Sequence, residues 1–306
     1  MKCKICGGKA VLKLRSHNIN LCEDCFLDFF KRRVRKTIGR YKLISKGERV
    51  LVAVSGGKDS LALWDVLLEL GFEASGLYID LGIGGYSALS REKALKFAES
   101  RGRELIIEEV KAHFDGLGIP EIAKRTSRSV CSTCGMIKRY LMNKAALERG
   151  FDVLATGHNL DDEAASLLGN VLGWRIEYLA RQHPLLPSTD GKLVRKVKPL
   201  ALCSEKETAS YAIIRGIDYI VDECPFAEGA TSIFYKNLLN RLELESPGAK
   251  LQFYLGFLKT QPLFRTREPQ LRECRICGYP TTLPVCNFCR LREQLAGRAG
   301  SDAEEP

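Results

Sequence analysis

The chain has 306 residues, of which 45% are hydrophobic and 27% charged, with a formal net charge of +10 and a pI near 9.0. That balance is globular and the length suits a main α/β domain with small modules, while the excess of cations favours a polyanionic partner such as nucleic acid. No apolar run is long enough to span a membrane and Met1-Lys2-Cys3-Lys4 leads straight into cysteines without a signal peptide, so the cytoplasm is the expected compartment.

Twelve cysteines in a chain of this kind point to metals rather than disulfides. The first four, Cys3, Cys6, Cys22 and Cys25, read C-x2-C-x15-C-x2-C within residues 1–26. Two such knuckles supply four thiolates to a tetrahedral Zn²⁺ in a closed, structural site. A module this small has too little core to fold alone, so the metal supplies its folding energy. Residues 27–47 form a basic linker helix. Phe26, Phe29, Phe30 and Val34 share one side, and Lys31, Arg32, Arg33, Arg35, Lys36 and Arg40 the other. Such a charged face is either simply solvated or a contact for a phosphate backbone.

Residues 48–225 read as the catalytic domain. Val50, Leu51, Val52, Ala53 and Val54 are short and β-branched, as a strand buried on both faces should be. Ser55-Gly56-Gly57-Lys58-Asp59-Ser60 follows, and then Leu61, Leu63, Trp64, Leu67 and Leu68 at helical spacing. Strand, glycine turn and helix make an anion site from backbone N–H groups and the helix dipole, with Lys58 as an added charge. The turn is not a Walker A loop, because Asp59 follows the lysine, nor is it G-x-G-x-x-G. Further strands are expected at residues 73–81, 104–110 and 151–156, with a flexible loop at Gly82-Ile83-Gly84-Gly85 and a helix over 90–101. The alternation predicts a doubly wound parallel sheet with its ligand at the C-terminal strand ends. Residues 55–60, 78–80 and 157–162 all fall at such ends and converge on one nucleotide site.

Thr156-Gly157-His158-Asn159-Leu160-Asp161-Asp162-Glu163 ends a strand and starts a helix. Acidic residues in a first turn satisfy the helix dipole, and two adjacent aspartates facing a phosphate turn also suggest Mg²⁺. His158 reads as a polar residue at a strand end. Cys131 and Cys134 precede a helix over 135–149, and Cys224 lies in Glu223-Cys224-Pro225. Three thiolates are one short of the usual four. They suit a [4Fe–4S] cluster with one iron open to an outside ligand, or else a C-x2-C redox pair with Cys224 unrelated. Lys138 lies four residues after Cys134, on the same helical face.

Beyond the second acidic motif, a hairpin is expected in 185–197 around Asp190-Gly191. Ser204-Glu205-Lys206-Glu207 is a capping box, with Cys203 a buried structural thiol before it. A short strand over 217–221 delivers Cys224. Residues 226–266 form an accessory helical segment, broken at Ser246-Pro247-Gly248, for contacts to a polyanionic partner or a second subunit. Residues 267–294 hold a second zinc module, Cys274, Cys277, Cys286 and Cys289, spaced C-x2-C-x8-C-x2-C. Residues 295–306 read as a disordered tail.

The motif SGGKDS resembles the signature of the PP-loop ATP pyrophosphatases, which cleave ATP between the α and β phosphates and adenylate an oxygen of their substrate. Together with C-S-T-C, G-H-N-L-D-D-E-A, E-C-P and the two flanking cysteine modules, it resembles the tRNA 2-thiolation enzymes of the TtuA/TtcA group. The two modules favour the TtuA branch. The resemblance implies adenylation of a uridine O2, with T-loop position 54 expected, and replacement of the oxygen by sulfur. It implies that Ser55, Gly56, Gly57, Lys58, Asp59 and Ser60 hold the phosphates, the backbone at Ala53 and Ile79 the adenosine, and that Val54, Gly157 and Asp162 complete the ATP site. Cys131, Cys134 and Cys224 would hold [4Fe–4S]; Lys138, Asp162 and Asp59 would act in catalysis. It further implies ATP with Mg²⁺, two Zn²⁺, tRNA, a thiocarboxylated ubiquitin-like carrier as sulfur donor, and a homodimer. The alternatives are a wobble-uridine or cytidine 2-thiolase of the same superfamily, and a non-catalytic RNA-binding zinc protein with a vestigial nucleotide fold. The last accounts for the charge and the paired cysteines, but not for SGGKDS or the third cysteine set.

Overall fold

The computed structural model describes residues 1–189, 191–227, 231–264 and 271–301. It opens with a hairpin of β1 (Leu12–Leu14) and β2 (Ile19–Leu21), followed by helix α1 (Glu23–Arg40). The chain then alternates through β3 (Arg49–Val54), α2 (Lys58–Glu69), β4 (Glu73–Asp80), α3 (Gly84–Arg101) and β5 (Leu105–Glu109). Three helices come next, α4 (Val110–His113), α5 (Ile119–Thr126) and α6 (Val130–Glu148). They lead to β6 (Val153–Thr156), α7 (Leu160–Leu172), α8 (Ile176–Arg181), β7 (Leu185–Leu186), β8 (Arg195–Val197) and α9 (Glu205–Ile214). Helices α10 (Thr231–Glu245) and α11 (Ala249–Thr260) precede a small hairpin, β9 (Arg272–Glu273) with β10 (Pro280–Thr281), and α12 (Asn287–Ser301).

The main sheet has six strands in the order β5-β4-β3-β6-β8-β7, parallel except for the edge strand β7. Its centre is the apolar run read from the sequence. Val50 and Val52 pack with Leu63 and Trp64 on one face, and Leu51 packs with Leu77, Leu141 and Leu154 on the other. A strand covered on both faces needs apolar residues at every position, which is why the run does not alternate. The chain leaves β3 toward β4 and β5, then returns to place β6 on the other side. The order therefore reverses between β3 and β6, opening a crevice at their C-terminal ends.

Both cysteine modules dock on this domain. At the N-terminus, Phe26, Phe30 and Val34 of α1 are wholly buried, and Phe30 stacks on Tyr211 of α9 at 4.5 Å. At the C-terminus, Phe288 stacks on Tyr140 of α6 at 3.9 Å, and Tyr279 lies 4.8 Å from the same ring. The second module thus braces the helix that carries Cys131, Cys134 and Lys138. Among the described residues no helix is long and apolar enough to cross a membrane.

Several expected boundaries move. Helix α6 begins at Val130 and so includes Cys131 and Cys134, because Ser129 caps it by accepting from the Ser132 N–H at 3.3 Å. Helix α3 begins at Gly84, within the expected glycine loop. Residues 217–221 form no strand; the Ile220 N–H instead donates to the Gly56 carbonyl at 3.0 Å, so this segment docks on the glycine turn. Residues 296–301 continue α12, whereas 302–306 lie outside the described residues, as do Asp190 of the hairpin, residues 228–230 and 265–266 of the accessory segment, and residues 267–270 of the second module. The accessory segment is two helices, parted at Ser246, Pro247 and Gly248.

Candidate active site

The glycine turn between β3 and α2 holds its shape through its own serines. The Ser55 N–H donates to Ser60 Oγ at 3.1 Å, and Ser60 Oγ donates to the Gly57 carbonyl at 3.0 Å. Gly56 has φ +74°, and a Cβ there would fall 2.4 Å from the Ser90 carbonyl oxygen, so glycine is required on two counts. A Cβ on Gly157 would press at 3.0 Å on the backbone of Asp59 and Ser60. The two motifs therefore meet backbone to backbone.

A cavity of about 670 Å³ opens beside this junction. One wall comprises Ala53, Val54, Ser55, Asp59 and Ser60, with Tyr78 and Ile79 from β4 and Gly157, His158 and Asp162 after β6. The other carries Cys131, Cys134, Lys138 and Cys224. Nucleotide-type and thiolate-type residues from five parts of the sequence thus share one space.

Lys58 departs from its expected place. It does not line the cavity; its Nζ lies 2.7 Å from Glu205 and 3.1 Å from Asp59. The two carboxylates hold its pKa well above the lysine range against the opposing effect of burial. Burial raises the Asp59 carboxyl, with Lys58 and the Asn159 amide (3.1 Å) pulling the other way. Asp162 is the third helical residue of a full capping box with Asn159, and its Oδ1 lies 2.6 Å from Lys236. Asp161 turns away from the cavity: it accepts from the Glu205 N–H at 2.8 Å and pairs with the buried Lys250. The adjacent-aspartate arrangement suggested for Mg²⁺ is thereby reduced to Asp162, with Asp59 across the turn. His158 donates or accepts at Thr156 Oγ1 (2.9 Å), and burial lowers its pKa, so it is neutral at pH 7.

The third cysteine set sits where α6 starts. Cys131 Sγ donates to the Phe226 carbonyl at 3.3 Å, and the Ala227 N–H donates to the Cys224 carbonyl at 2.8 Å, which curls this segment toward the helix. Burial raises the Cys134 thiol, with Lys138 and Arg139 opposing it. Among the described residues, only the two four-cysteine modules gather at least three donor atoms within 4.8 Å of one another. Cys131, Cys134 and Cys224 are therefore not gathered as the ligands of one ion are, which leaves room for a multi-iron cluster whose cysteine sulfurs stand outside its corners.

The modules fit a single tetrahedral ion. Around zinc with Zn–S near 2.3 Å, sulfurs lie about 3.8 Å apart. Cys6 and Cys22 are 3.6 Å apart, and Cys277 and Cys286 3.7 Å. Backbone N–H groups of Cys6 and Cys22 bring the Cys3 thiol down to about 6, whereas the Cys22 sulfur beside it raises Cys25, so the four sulfurs are crowded enough to compete for protons.

Sequence reasoning missed Arg139, Lys196, Glu205 and Lys236. Arg139 and Lys196 line the cavity, and burial beside Arg139 and Lys198 lowers Lys196 to about 8. Arg139 follows Lys138 directly, so its place on α6 was open to the eye. Lys196 lies in a three-residue strand with no motif.

Comparison with known proteins agrees with this layout. Residues 2–27 match the family model described as 2-thiouridine synthetase TtuA, N-terminal LIM domain, and residues 27–228 match the PP-loop domain. The chain is 51% identical to a tRNA-5-methyluridine(54) 2-sulfurtransferase of Thermus thermophilus, over 98% of this chain and 93% of that one. It is 47% identical to the protein of the same name from Pyrococcus horikoshii, over 100% and 99%. Among solved structures it is similar to the U34-tRNA thiolase NcsA from Methanococcus maripaludis with its [4Fe-4S] cluster. That match has a TM-score of 0.83 and 30% identity, and covers 96% of both chains.

Proposed function

Because the chain belongs to the 2-thiouridine synthetase TtuA family of PP-loop tRNA sulfurtransferases, we propose that it uses ATP to convert uridine 54 of the tRNA T loop to its 2-thio form. The uridine O2 attacks the α-phosphorus of ATP, and pyrophosphate leaves. Sulfur then adds at C2, the C–O bond breaks, and AMP departs with the former O2. The sulfur comes from a thiocarboxylated ubiquitin-like carrier.

In this reading the backbone of residues 55–60 holds the phosphates at the start of α2. Ala53 and Ile79 flank the adenosine, and Gly157 leaves room for the turn. Asp59 and Asp162 face the nucleotide and its Mg²⁺. Lys138 stabilises negative charge that develops on the adenylated uridine. Cys131, Cys134 and Cys224 hold a [4Fe–4S] cluster, which when bound supplies an iron without a protein ligand, open to sulfur. The outer modules hold zinc and keep α1 and α6 in place. The protein acts in the cytoplasm as a homodimer.

The observation that carries the reading is the single cavity shared by the phosphate turn and the three cysteines. The test supplies anaerobically purified holoprotein with Mg·ATP, a sulfur donor and unmodified tRNA. Expected are tRNA-dependent pyrophosphate release and a 2-thio group at position 54 by nucleoside mass spectrometry. A 2-thio group at position 34 would make the chain a wobble-uridine thiolase. Absence of tRNA-dependent pyrophosphate would favour the non-catalytic RNA-binding reading.

A further inference from the structure

Six residues around the phosphate turn close into a ring. Lys58 Nζ lies 3.1 Å from Asp59 and 2.7 Å from Glu205. Asp59 Oδ1 accepts from Asn159 Nδ2 at 3.1 Å, and the Asn159 N–H donates to Asp162 Oδ2 at 3.1 Å. Asp162 Oδ1 lies 2.6 Å from Lys236, whose Nζ is 3.5 Å from Glu205 and completes the circuit. Lys236 alone comes from the helices that follow the main domain. It is held there firmly, because Leu239 on the same helix is buried against Ala164 and Ala165 of α7. Tyr235 also sits so close to Gly169 that a Cβ there would fall 2.8 Å from the ring.

The segment that carries Cys224 is anchored on the phosphate turn on one side and leads to the ring on the other. Upstream of Cys224, the Ile220 N–H is bonded to the Gly56 carbonyl at 3.0 Å. Downstream, Lys236 lies twelve residues beyond Cys224 and is bonded to Asp162. Asp59 and Asp162 both line the cavity. A divalent cation entering it competes with the two lysines for those carboxylates, and phosphates draw Lys58 and Lys236 away from them, so the ring must re-partner when the nucleotide binds.

We propose that Lys236 is a positioning residue for the reaction: it fixes Asp162, and through Glu205 also Lys58 and Asp59, and thereby links nucleotide occupancy to the segment that carries Cys224. The assignment rests on the functional reading above only in naming ATP as the nucleotide.

The experiment compares wild-type holoenzyme with Lys236→Met, which keeps the apolar stem, Lys236→Arg, which keeps the charge, and Glu205→Gln. Affinity for Mg·ATP is read by calorimetry without tRNA, and amide exchange of residues 221–227 with and without Mg·ATP. Expected for Lys236→Met is roughly tenfold weaker Mg·ATP binding and loss of the nucleotide-dependent change in exchange that the wild type shows. A higher KM for ATP with a smaller change in kcat should accompany it. Lys236→Arg should recover most of both. Glu205→Gln, which unties Lys58 and Lys236 together, should weaken binding in the same direction and serves if Lys236→Met fails to fold. Wild-type affinity and exchange response in Lys236→Met or Glu205→Gln would overturn the proposal. So would equal losses in the Met and Arg variants. A wild type that shows the exchange response but leaves uridine 54 unmodified would overturn the functional reading alone.

Discussion

Arg33 reaches from the basic face of α1 to Glu207, with Nε 3.2 Å from the carboxylate, and its Nη2 donates to the Leu202 carbonyl. Glu207 is buried and also meets His17 at 3.2 Å, so this cation belongs to the joint between the N-terminal module and α9. Lys31 is likewise engaged, with Asp28 at 3.4 Å and Glu69 at 3.7 Å. The face open to RNA is Arg32, Arg35, Lys36 and Arg40, all exposed. Neutralising these four should weaken tRNA binding and reduce its log–log salt slope by up to about 4. Arg33→Met should leave the slope alone and lower stability by about 2 kcal/mol, since it removes one charged partner of a buried carboxylate that keeps His17 and the Ser204 cap. Salt-dependent binding and urea unfolding of both variants check this; a salt slope changed by Arg33→Met would put that side chain on the RNA.

Asp59 faces the cavity and is held by Lys58 and Asn159 without touching any cysteine set. Asp59→Ala is expected to reduce tRNA-dependent pyrophosphate release by at least 100-fold, while zinc and iron content stay at wild-type levels. The scale is that of losing a group that positions reacting atoms. Pyrophosphate release near the wild-type rate would show that the turn does not serve the nucleotide.

Lys196 provides a pH test. Its pKa falls to about 8 from the ordinary lysine value because burial beside Arg139 and Lys198 disfavours its charge. A depressed lysine costs stability whenever it is charged in the folded state. That cost is complete below about 8, fades between about 8 and 10.4, and vanishes above. Lys196→Met should therefore stabilise the protein at pH 7 by on the order of 2 kcal/mol, and the gain should shrink by more than half at pH 9.5. It should also slow thiolation, since a cation kept in a substrate cavity at such cost serves the substrate. Urea unfolding at the two pH values decides it; a difference that is the same at both would assign the effect to packing.

The parts legible in the sequence are those whose signal is local. The apolar run with its glycine turn, the C-x2-C pairs and the Ser204 capping box each state their structure within a few residues. The Ser204 N–H to Glu207 Oε2 bond at 2.7 Å is the capping box as read. The direction of a long side chain is not local. Lys58 follows two glycines in a phosphate turn, yet Glu205, remote in sequence, sets its direction. Arg33 shares a helix face with RNA-type cations, yet Glu207 claims it. Asp161 and Asp162 are neighbours in sequence and face different partners, because a helix turns about 100° per residue. Residues 217–221 read as a strand from their apolar pattern, but the neighbouring hydrogen-bonding partner is a turn rather than a strand.

Cysteine usage predicts metal content and one silent position. The two modules and the third set should give about two zinc and up to four iron per chain after anaerobic reconstitution. Cys203 is wholly buried before the α9 cap, and burial pushes its thiol up to about 12. Cys203→Ser should leave zinc and iron unchanged while costing about 1–3 kcal/mol, as a hydroxyl replaces an apolar thiol in a dry site. Metal analysis with thermal unfolding measures both; loss of iron in this variant would make Cys203 a cluster ligand.

Cys131, Cys134 and Cys224 line the cavity beside Lys138, and among the described residues no fourth cysteine lines it with them. Alanine at each of the three should abolish thiolation and leave ATP and tRNA binding intact, since none lies in the phosphate turn or on the basic face of α1. Two chemistries predict that result equally. In one, an iron without a protein ligand accepts sulfur from outside, and added sulfide supports the holoprotein. In the other, a sulfane-sulfur donor leaves a persulfide on one cysteine, its outer sulfur displaces AMP at C2, and the C-x2-C partner frees the thiouridine by forming a disulfide, which needs no iron. Single-turnover thiolation separates them, with reduced apoprotein and reconstituted holoprotein each supplied with sulfide or with polysulfide. Product from the holoprotein alone is the expected outcome. Equal yield from the apoprotein would assign the sulfur to a cysteine and leave the cluster without a chemical part.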